Sequence, residues 1–144
     1  TPHKAFFGEK DFQQLQIVRK LIEKTGLPVE IIGCPILRED NGLARSSRNE
    51  RLNTNEREKA SFIYQTLLKV KELFGTKSAE YIHNWVKEQF TNHPVLKLEY
   101  FEIADTRTLE KINRKRKGNT YRAFIAAYVD DIRLIDNIAL NNEE

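Results

Sequence analysis

A chain of 144 residues that is 40% hydrophobic can bury the core of one ordinary domain, or of one small domain plus part of another. Charged residues at 31%, mixed in sign, exclude a disordered polymer, and a net charge of +3 is too small to argue for a nucleic-acid binder by itself. The single cysteine, Cys34, excludes an internal disulfide framework and fits a reducing compartment, and neither a membrane-length apolar stretch nor a signal peptide is present.

The chain contains no Met, even at position 1, which points to a processed or excised piece. Lys4-Ala5-Phe6-Phe7 is a short apolar run closed by Gly8, the end of a buried strand. Gly8-Glu9-Lys10-Asp11 then turns the chain into a helix, with Asp11 as its N-cap. Leu15, Val18 and Ile22, flanked by Ile17 and Leu21, carry the helical spacing to Lys24, and Gly26 and Pro28 stop it. Val29-Glu30-Ile31-Ile32-Gly33 is a second strand. Strand, helix and strand with short links make a βαβ unit, whose strands run parallel and whose ligands gather beyond their carboxyl ends. Such a unit cannot cover both faces of its own sheet, so these residues read as the tail of a larger parallel sheet. Cys34, set between Gly33 and Pro35, reads as a buried structural thiol.

From Gly33 to Thr54 no helix or strand period is visible, and an irregular loop of this length is functional or disordered. Within it, Gly42-Leu43-Ala44-Arg45-Ser46-Ser47-Arg48-Asn49, flanked by Arg38 and Arg51, gathers hydroxyls and guanidinium groups. That combination suits an anionic, oxygen-rich ligand, because Arg–phosphate hydrogen bonds are short and often bidentate. A solvated, basic connection between two domains accounts for the same composition.

Past the loop, Asn53 with Glu56 three residues on is a capping-box variant. It opens a helix to about Leu73, with Ala60, Ile63, Leu67, Val70 and Phe74 on one face and Gly75 at its end. Ser78 caps a second helix, carrying Tyr81, Ile82, Trp85, Val86 and Phe90 to a stop at Pro94. His83 and His93 have no Cys or carboxylate cluster beside them and read as solvated or capping side chains rather than metal ligands. Residues 96–103 alternate as a half-buried strand, and Asp105 begins a single capped turn. Arg114-Lys115-Arg116-Lys117-Gly118-Asn119 is a basic turn, read as solvated in preference to a nucleic-acid patch. Residues 121–129 and 132–138 are two more strands joined by a tight hairpin at Asp130-Asp131. The expected fold class is α/β: the tail of a Rossmann-like parallel sheet over residues 1–50, then a small α+β lid domain over residues 51–144. That lid would set two helices over an antiparallel three-stranded sheet.

Four stretches carry a further resemblance. Phe7-Gly8-Glu9-Lys10-Asp11-x-Gln13-Gln14-Leu15 resembles the FGEKDxQQL segment of the pantothenate synthetase (pantoate–β-alanine ligase) family, and Ile31-x-Gly33-x-Pro35-x-x-Arg38 resembles its strand-and-loop segment. Gly42-Leu43-Ala44-x-Ser46-Ser47-Arg48-Asn49 is similar to its GLAMSSRN signature, itself distantly similar to the KMSKS loops of class I aminoacyl-tRNA synthetases. Arg133-Leu134-Ile135-Asp136-Asn137, after Ala126-Ala127, resembles its closing RLIDN hairpin.

The resemblance implies a cytoplasmic ligase of coenzyme A precursor synthesis. It would join pantoate to β-alanine and split ATP, with Mg2+, to AMP and pyrophosphate through a pantoyl-adenylate. The family's His-x-Gly-His signature is absent, so this chain looks like the C-terminal half, inactive alone and lacking its N-terminal partner half; the complete enzyme would be a homodimer. Carried over by position, Gly8, Glu9, Lys10 and Asp11 would line the ATP site, Lys10 reaching the phosphates and Gly8 and Asp11 lying by the ribose. Gln14 would hold pantoate, and Leu37 would lie against adenine. Ser46, Ser47 and Arg48 would hold the triphosphate, with Arg45 beside them where the family has Met or Leu. Lys10, Ser46, Ser47 and Arg48 would be the catalytic set, with no protein-bound metal and no membrane or nucleic-acid partner. The rival reading is a noncatalytic module binding nucleotide or nucleic acid through its basic segments.

Overall fold

The computed structural model describes residues 2–112 and 114–141, and the chain separates into two compact units, Thr1–Leu37 and Arg38–Glu144. The division falls between Leu37 and Arg38, within the long loop, rather than at residue 50. Residues 38–50 belong to the second unit because Leu43, 4% exposed, enters its core alongside Leu52.

The first unit is the expected βαβ arrangement. Strand β1 (Lys4–Gly8) and strand β2 (Glu30–Cys34) are parallel, in register from Lys4 opposite Glu30 to Gly8 opposite Cys34. A 3-10 turn (Glu9–Asp11) leads into helix α1 (Phe12–Thr25), whose Phe12 and Leu15 are buried. Asp11 occupies the N-cap position, but its side chain accepts no capping hydrogen bond. The 3-10 turn holds it at φ −94°, ψ 57°, outside the extended geometry a side-chain cap uses. Gly26, at φ +67°, closes α1 by donating its N–H to the Ile22 carbonyl at 3.0 Å. Cys34 is a free thiol, half-buried at the end of β2 rather than fully buried.

The second unit packs helices on an antiparallel sheet. The capping box is formed in full: Asn53 Oδ1 accepts from the Glu56 N–H at 2.8 Å, and Glu56 Oε1 from the Asn53 N–H at 2.9 Å. The single helix expected here is divided at Ser61 into α2 (Thr54–Ala60) and α3 (Phe62–Phe74). The Ser61 N–H and hydroxyl both turn to the Glu58 carbonyl, a tightened turn of the kind that interrupts α-helical bonding. The face survives the break: Ala60, Ile63, Leu67, Val70 and Phe74 are all buried. Helix α4 (Ala79–Phe90) is capped by Ser78, whose hydroxyl accepts from the Tyr81 N–H at 3.1 Å, and carries Trp85 against the core.

Strands β3 (Leu96–Asp105), β4 (Tyr121–Val129) and β5 (Ile132–Ala139) form a meander in that order, with a bulge between Leu98 and Tyr100 and the hairpin at Asp130 and Asp131. Residues 121–127 of the central strand are buried without interruption.

Both histidines have structural partners. His93 Nδ1 accepts the Val95 and Leu96 N–H groups at 3.1 and 2.9 Å, while His83 ties the Ala79 carbonyl to Glu102. Lys115 is not simply solvated. Its ammonium donates to the Phe74 and Lys77 carbonyls around the carboxyl end of α3, where a cation complements the exposed carbonyls.

Candidate functional site

The long loop is ordered by its own hydrogen bonds. Arg38 and Ala44 form an antiparallel bridge, and within it the Glu39 N–H donates to the Leu43 carbonyl (2.8 Å) and the Gly42 N–H to the Glu39 carbonyl (2.9 Å). Asn41 Oδ1 accepts the Leu43 N–H, as turn asparagines do. Gly42 sits at φ +94° with the Tyr64 ring directly beneath it, so a Cβ there would lie 2.5 Å from Tyr64 Cδ2. Beyond Ala44 the chain runs extended to Ser46, whose hydroxyl caps a 3-10 turn (Ser47–Arg51) by accepting the Arg48 N–H at 3.2 Å.

This segment walls a surface hollow of about 730 Å³ lined by Glu39, Asp40, Arg45, Ser46, Ser47, Asn49, Glu50 and Arg57. Asn49, 2% exposed, anchors it from beneath, its Nδ2 donating to the Ala44 carbonyl at 3.0 Å. Arg57 reaches the Asn49 carbonyl at 2.7 Å and stands 3.9 Å from Glu39. Among the described residues, Asn49 Oδ1, Glu39 Oε2 and Arg57 Nε are buried around this hollow without a hydrogen-bond partner. Buried polar atoms are rarely left so, and these are suited to water or to a polar ligand. The lining offers hydroxyls and guanidinium groups together with three carboxylates.

The arginines divide by task. Arg38 is committed to Asp136 in a part-buried pair and does not supply the open guanidinium expected from its place beside the loop, whereas Arg51 meets Asp131 in an exposed pair. Arg45 is exposed, with Nε donating to the Arg38 carbonyl at 3.3 Å. Arg48 is also exposed and does not line the hollow; its guanidinium donates to the Arg133 carbonyl at 3.3 Å. Ser46, Ser47 and Arg45 therefore share one hollow, with Arg48 in the turn beside them.

The remaining expected site residues belong to the first unit. Gly8 ends β1, Glu9, Lys10 and Asp11 make the 3-10 turn after it, and Gln14 lies exposed in the first turn of α1. Gly8 and Cys34 are register partners, so the Lys10 turn and the segment from Pro35 both leave the carboxyl ends of a parallel pair. Leu37, 72% exposed, is the last residue of this unit. Sequence reasoning did not single out Glu39, Asp40, Glu50 and Arg57 as lining residues, nor Tyr64 and Asp136 as supports. The polar run from Arg38 to Asp40 was the available signal for the first two, whereas the pairing of Arg38 with Asp136 spans 98 positions and has none.

The family model for pantoate-beta-alanine ligase matches residues 1–139. A pantothenate synthetase of Christiangramia forsetii is 73% identical over 142 residues, covering 99% of this chain and 50% of its own length. Among solved structures, the pantothenate synthetase of Thermus thermophilus superposes with a TM-score of 0.87 at 36% identity, covering 98% of this chain and 51% of that one. The pantoate-beta-alanine ligase of Francisella tularensis, solved in complex with beta-gamma ATP and beta-alanine, gives a TM-score of 0.61 at 28% identity, covering 99% and 45%. The chain thus spans about half the length of the relatives it matches.

Proposed function

The chain belongs to the pantoate-beta-alanine ligase family, and from that membership we propose that it supplies the C-terminal half of an ATP-dependent ligase condensing pantoate with β-alanine. The observation that carries this reading is the hollow in which Ser46, Ser47 and Arg45 stand together, built by the segment that bears the family's signature. The ligands named for the Francisella relative, an ATP and β-alanine, support the same substrate classes.

The chemistry requires no protein nucleophile. A carboxylate oxygen of pantoate attacks the α-phosphorus of ATP, the bond to the β-phosphate oxygen breaks, and pyrophosphate leaves. The amine of β-alanine then attacks the acyl carbon of the pantoyl-adenylate, losing a proton as AMP departs. The protein has to hold two anions in line and to offset charge on phosphoryl oxygens. Lys10 and Arg48 supply positive charge, Ser46 and Ser47 supply hydroxyl donors, and Arg45 adds a cation beside the nucleotide. Gly8 and Asp11 lie by the ribose, Leu37 lies against adenine, Glu9 lines the ATP site with them, and Gln14 hydrogen-bonds pantoate. A lid role for the second unit, which begins at Arg38 and so carries the Ser46–Arg48 segment, would exclude water and protect an adenylate from hydrolysis.

Among the described residues no group of three or more His, Cys, Asp or Glu side chains is placed to hold a metal ion. Magnesium would accompany the nucleotide as part of the substrate. The first unit is the tail of a Rossmann-like nucleotide-binding domain, the complete enzyme is a cytoplasmic homodimer, and its N-terminal half brings the rest of the pantoate and β-alanine pocket.

The test is AMP release dependent on both pantoate and β-alanine, measured on this chain alone and on the polypeptide completed with the N-terminal half of its relatives. Turnover only in the completed polypeptide is expected. Robust turnover by the isolated chain defeats the half-enzyme reading, and none in the completed polypeptide defeats the ligase reading.

A further inference from the structure

One carboxylate outside the hollow is tied to the start of its wall by a bidentate pair. Asp136, on β5, is 4% exposed and grips Arg38 with both oxygens, Nη1 to Oδ2 at 2.6 Å and Nη2 to Oδ1 at 2.9 Å. Arg38 is engaged on its other sides as well: Nη1 donates to the Gly42 carbonyl at 3.0 Å, and the guanidinium lies 3.8 Å from the centre of the Tyr64 ring. Its backbone bridges to Ala44, and the Ala44 carbonyl is held by Asn49. Residues 45–48 are strung between those two fixed points.

The β4–β5 hairpin holds the same segment at two further places, Arg48 on the Arg133 carbonyl and Arg51 on Asp131. The three attachments are unequal. The pair of Arg51 with Asp131 has side chains 55% and 80% exposed, and such pairs contribute little. The pair of Arg38 with Asp136 has side chains 19% and 2% exposed and is bidentate, so loss of one partner strands the other in a dry site.

We infer that Asp136 is a positioning residue: through Arg38, stacked on Tyr64, it fixes the conformation of residues 39–49 and so presents Ser46 and Ser47 to their ligand. This rests on the reading of that segment as a nucleotide-phosphate site. A point-charge ammonium could not make the fork, the carbonyl bond and the ring stack together, which is why the fit is to arginine.

The test combines amide hydrogen exchange on this chain with steady-state kinetics on the completed polypeptide. In Asp136→Asn, the amides of Glu39, Gly42, Leu43 and Asn49 should exchange about tenfold faster while those of β4 are unchanged, because only the loop's anchor is weakened. The KM for ATP should rise by roughly tenfold with the KM for β-alanine unmoved, a split that general destabilisation does not produce. Tyr64→Leu keeps the ion pair and removes the ring, so it should move both readouts in the same direction by a smaller factor; it serves if Asp136→Asn does not fold. Asp131→Ala should change neither. Unchanged loop exchange in Asp136→Asn or, where that variant does not fold, in Tyr64→Leu overturns the inference, as does faster exchange with an unaltered KM for ATP. If the wild-type completed polypeptide does not use ATP, the functional reading fails, and exchange alone still decides whether Asp136 fixes the segment.

Discussion

Four consecutive residues, 45–48, send their side chains to different tasks: Arg45 and Ser47 line the hollow, Ser46 lines it while capping the turn, and Arg48 reaches the Arg133 carbonyl. Composition could nominate all four, because hydroxyls and guanidinium groups are the natural partners of phosphate. It could not divide the labour, which depends on where the 3-10 turn begins. On the proposed role of Lys10 and Arg48 at the phosphoryl oxygens, Lys10→Ala or Arg48→Ala in the completed polypeptide should slow adenylate formation by roughly tenfold or more. Circular dichroism should remain as in the wild type, and a rapid-quench measurement of the first turnover checks the rate. At His93 the expectation concerns pH. Two backbone N–H groups converge on Nδ1, so the neutral ring carries its proton on Nε2, and acid protonation must displace both donors. Burial, and then the charge of Lys59, hold its pKa below the ordinary 6.5. The unfolded chain therefore binds the proton first. Stability from this site is complete above pH 6.5 and is lost as pH falls through the lower folded value. Urea midpoints between pH 7.5 and 5 should show that fall in the wild type, and His93→Asn, which keeps an acceptor without titrating, should flatten it.

The elements were legible where one local rule sufficed. The 3.6-residue apolar face from Ala60 to Phe74, the capping box at Asn53, the glycine stop at Gly26 and the hairpin at Asp130 all formed as local physics dictates. Three expectations gave way to neighbouring geometry: the 3-10 turn took Asp11 out of capping range, Ser61 divided a helix, and Lys115 turned to the end of α3. The loop's shape was illegible because its supports, Tyr64 and Asp136, lie on α3 and β5, far along the chain. Gly42 makes its dependence on Tyr64 measurable. Gly42 and Gly118 share a positive φ, +94° and +88°, but a Cβ meets Tyr64 at the first and nothing within 4 Å at the second. Gly118→Ala should cost about 1 kcal/mol of backbone strain. Gly42→Ala should cost that plus a clash, roughly 2–4 kcal/mol in all, read from chemical denaturation of the two variants.

For the whole molecule, the two units differ in how well each is buried. In the first, Phe6, Ile17, Leu21 and Leu27 are each at least half exposed around a two-stranded sheet, a size that is marginal in water. The second closes a continuous core over three strands and its helices. The first unit should therefore lose structure at a lower temperature than the second, and completing the chain with its N-terminal half should narrow the gap. Trp85 turns that difference into an optical signal. It is the sole tryptophan, and it packs on the second unit's core. Its emission, excited at the red edge of indole absorption, reports the core of the second unit, on which it packs, while ellipticity sums over both units. Heating the chain should give an ellipticity curve that departs from its baseline while the indole signal is still flat, and the interval between them is a direct gauge of how far the parallel strands depend on a neighbour.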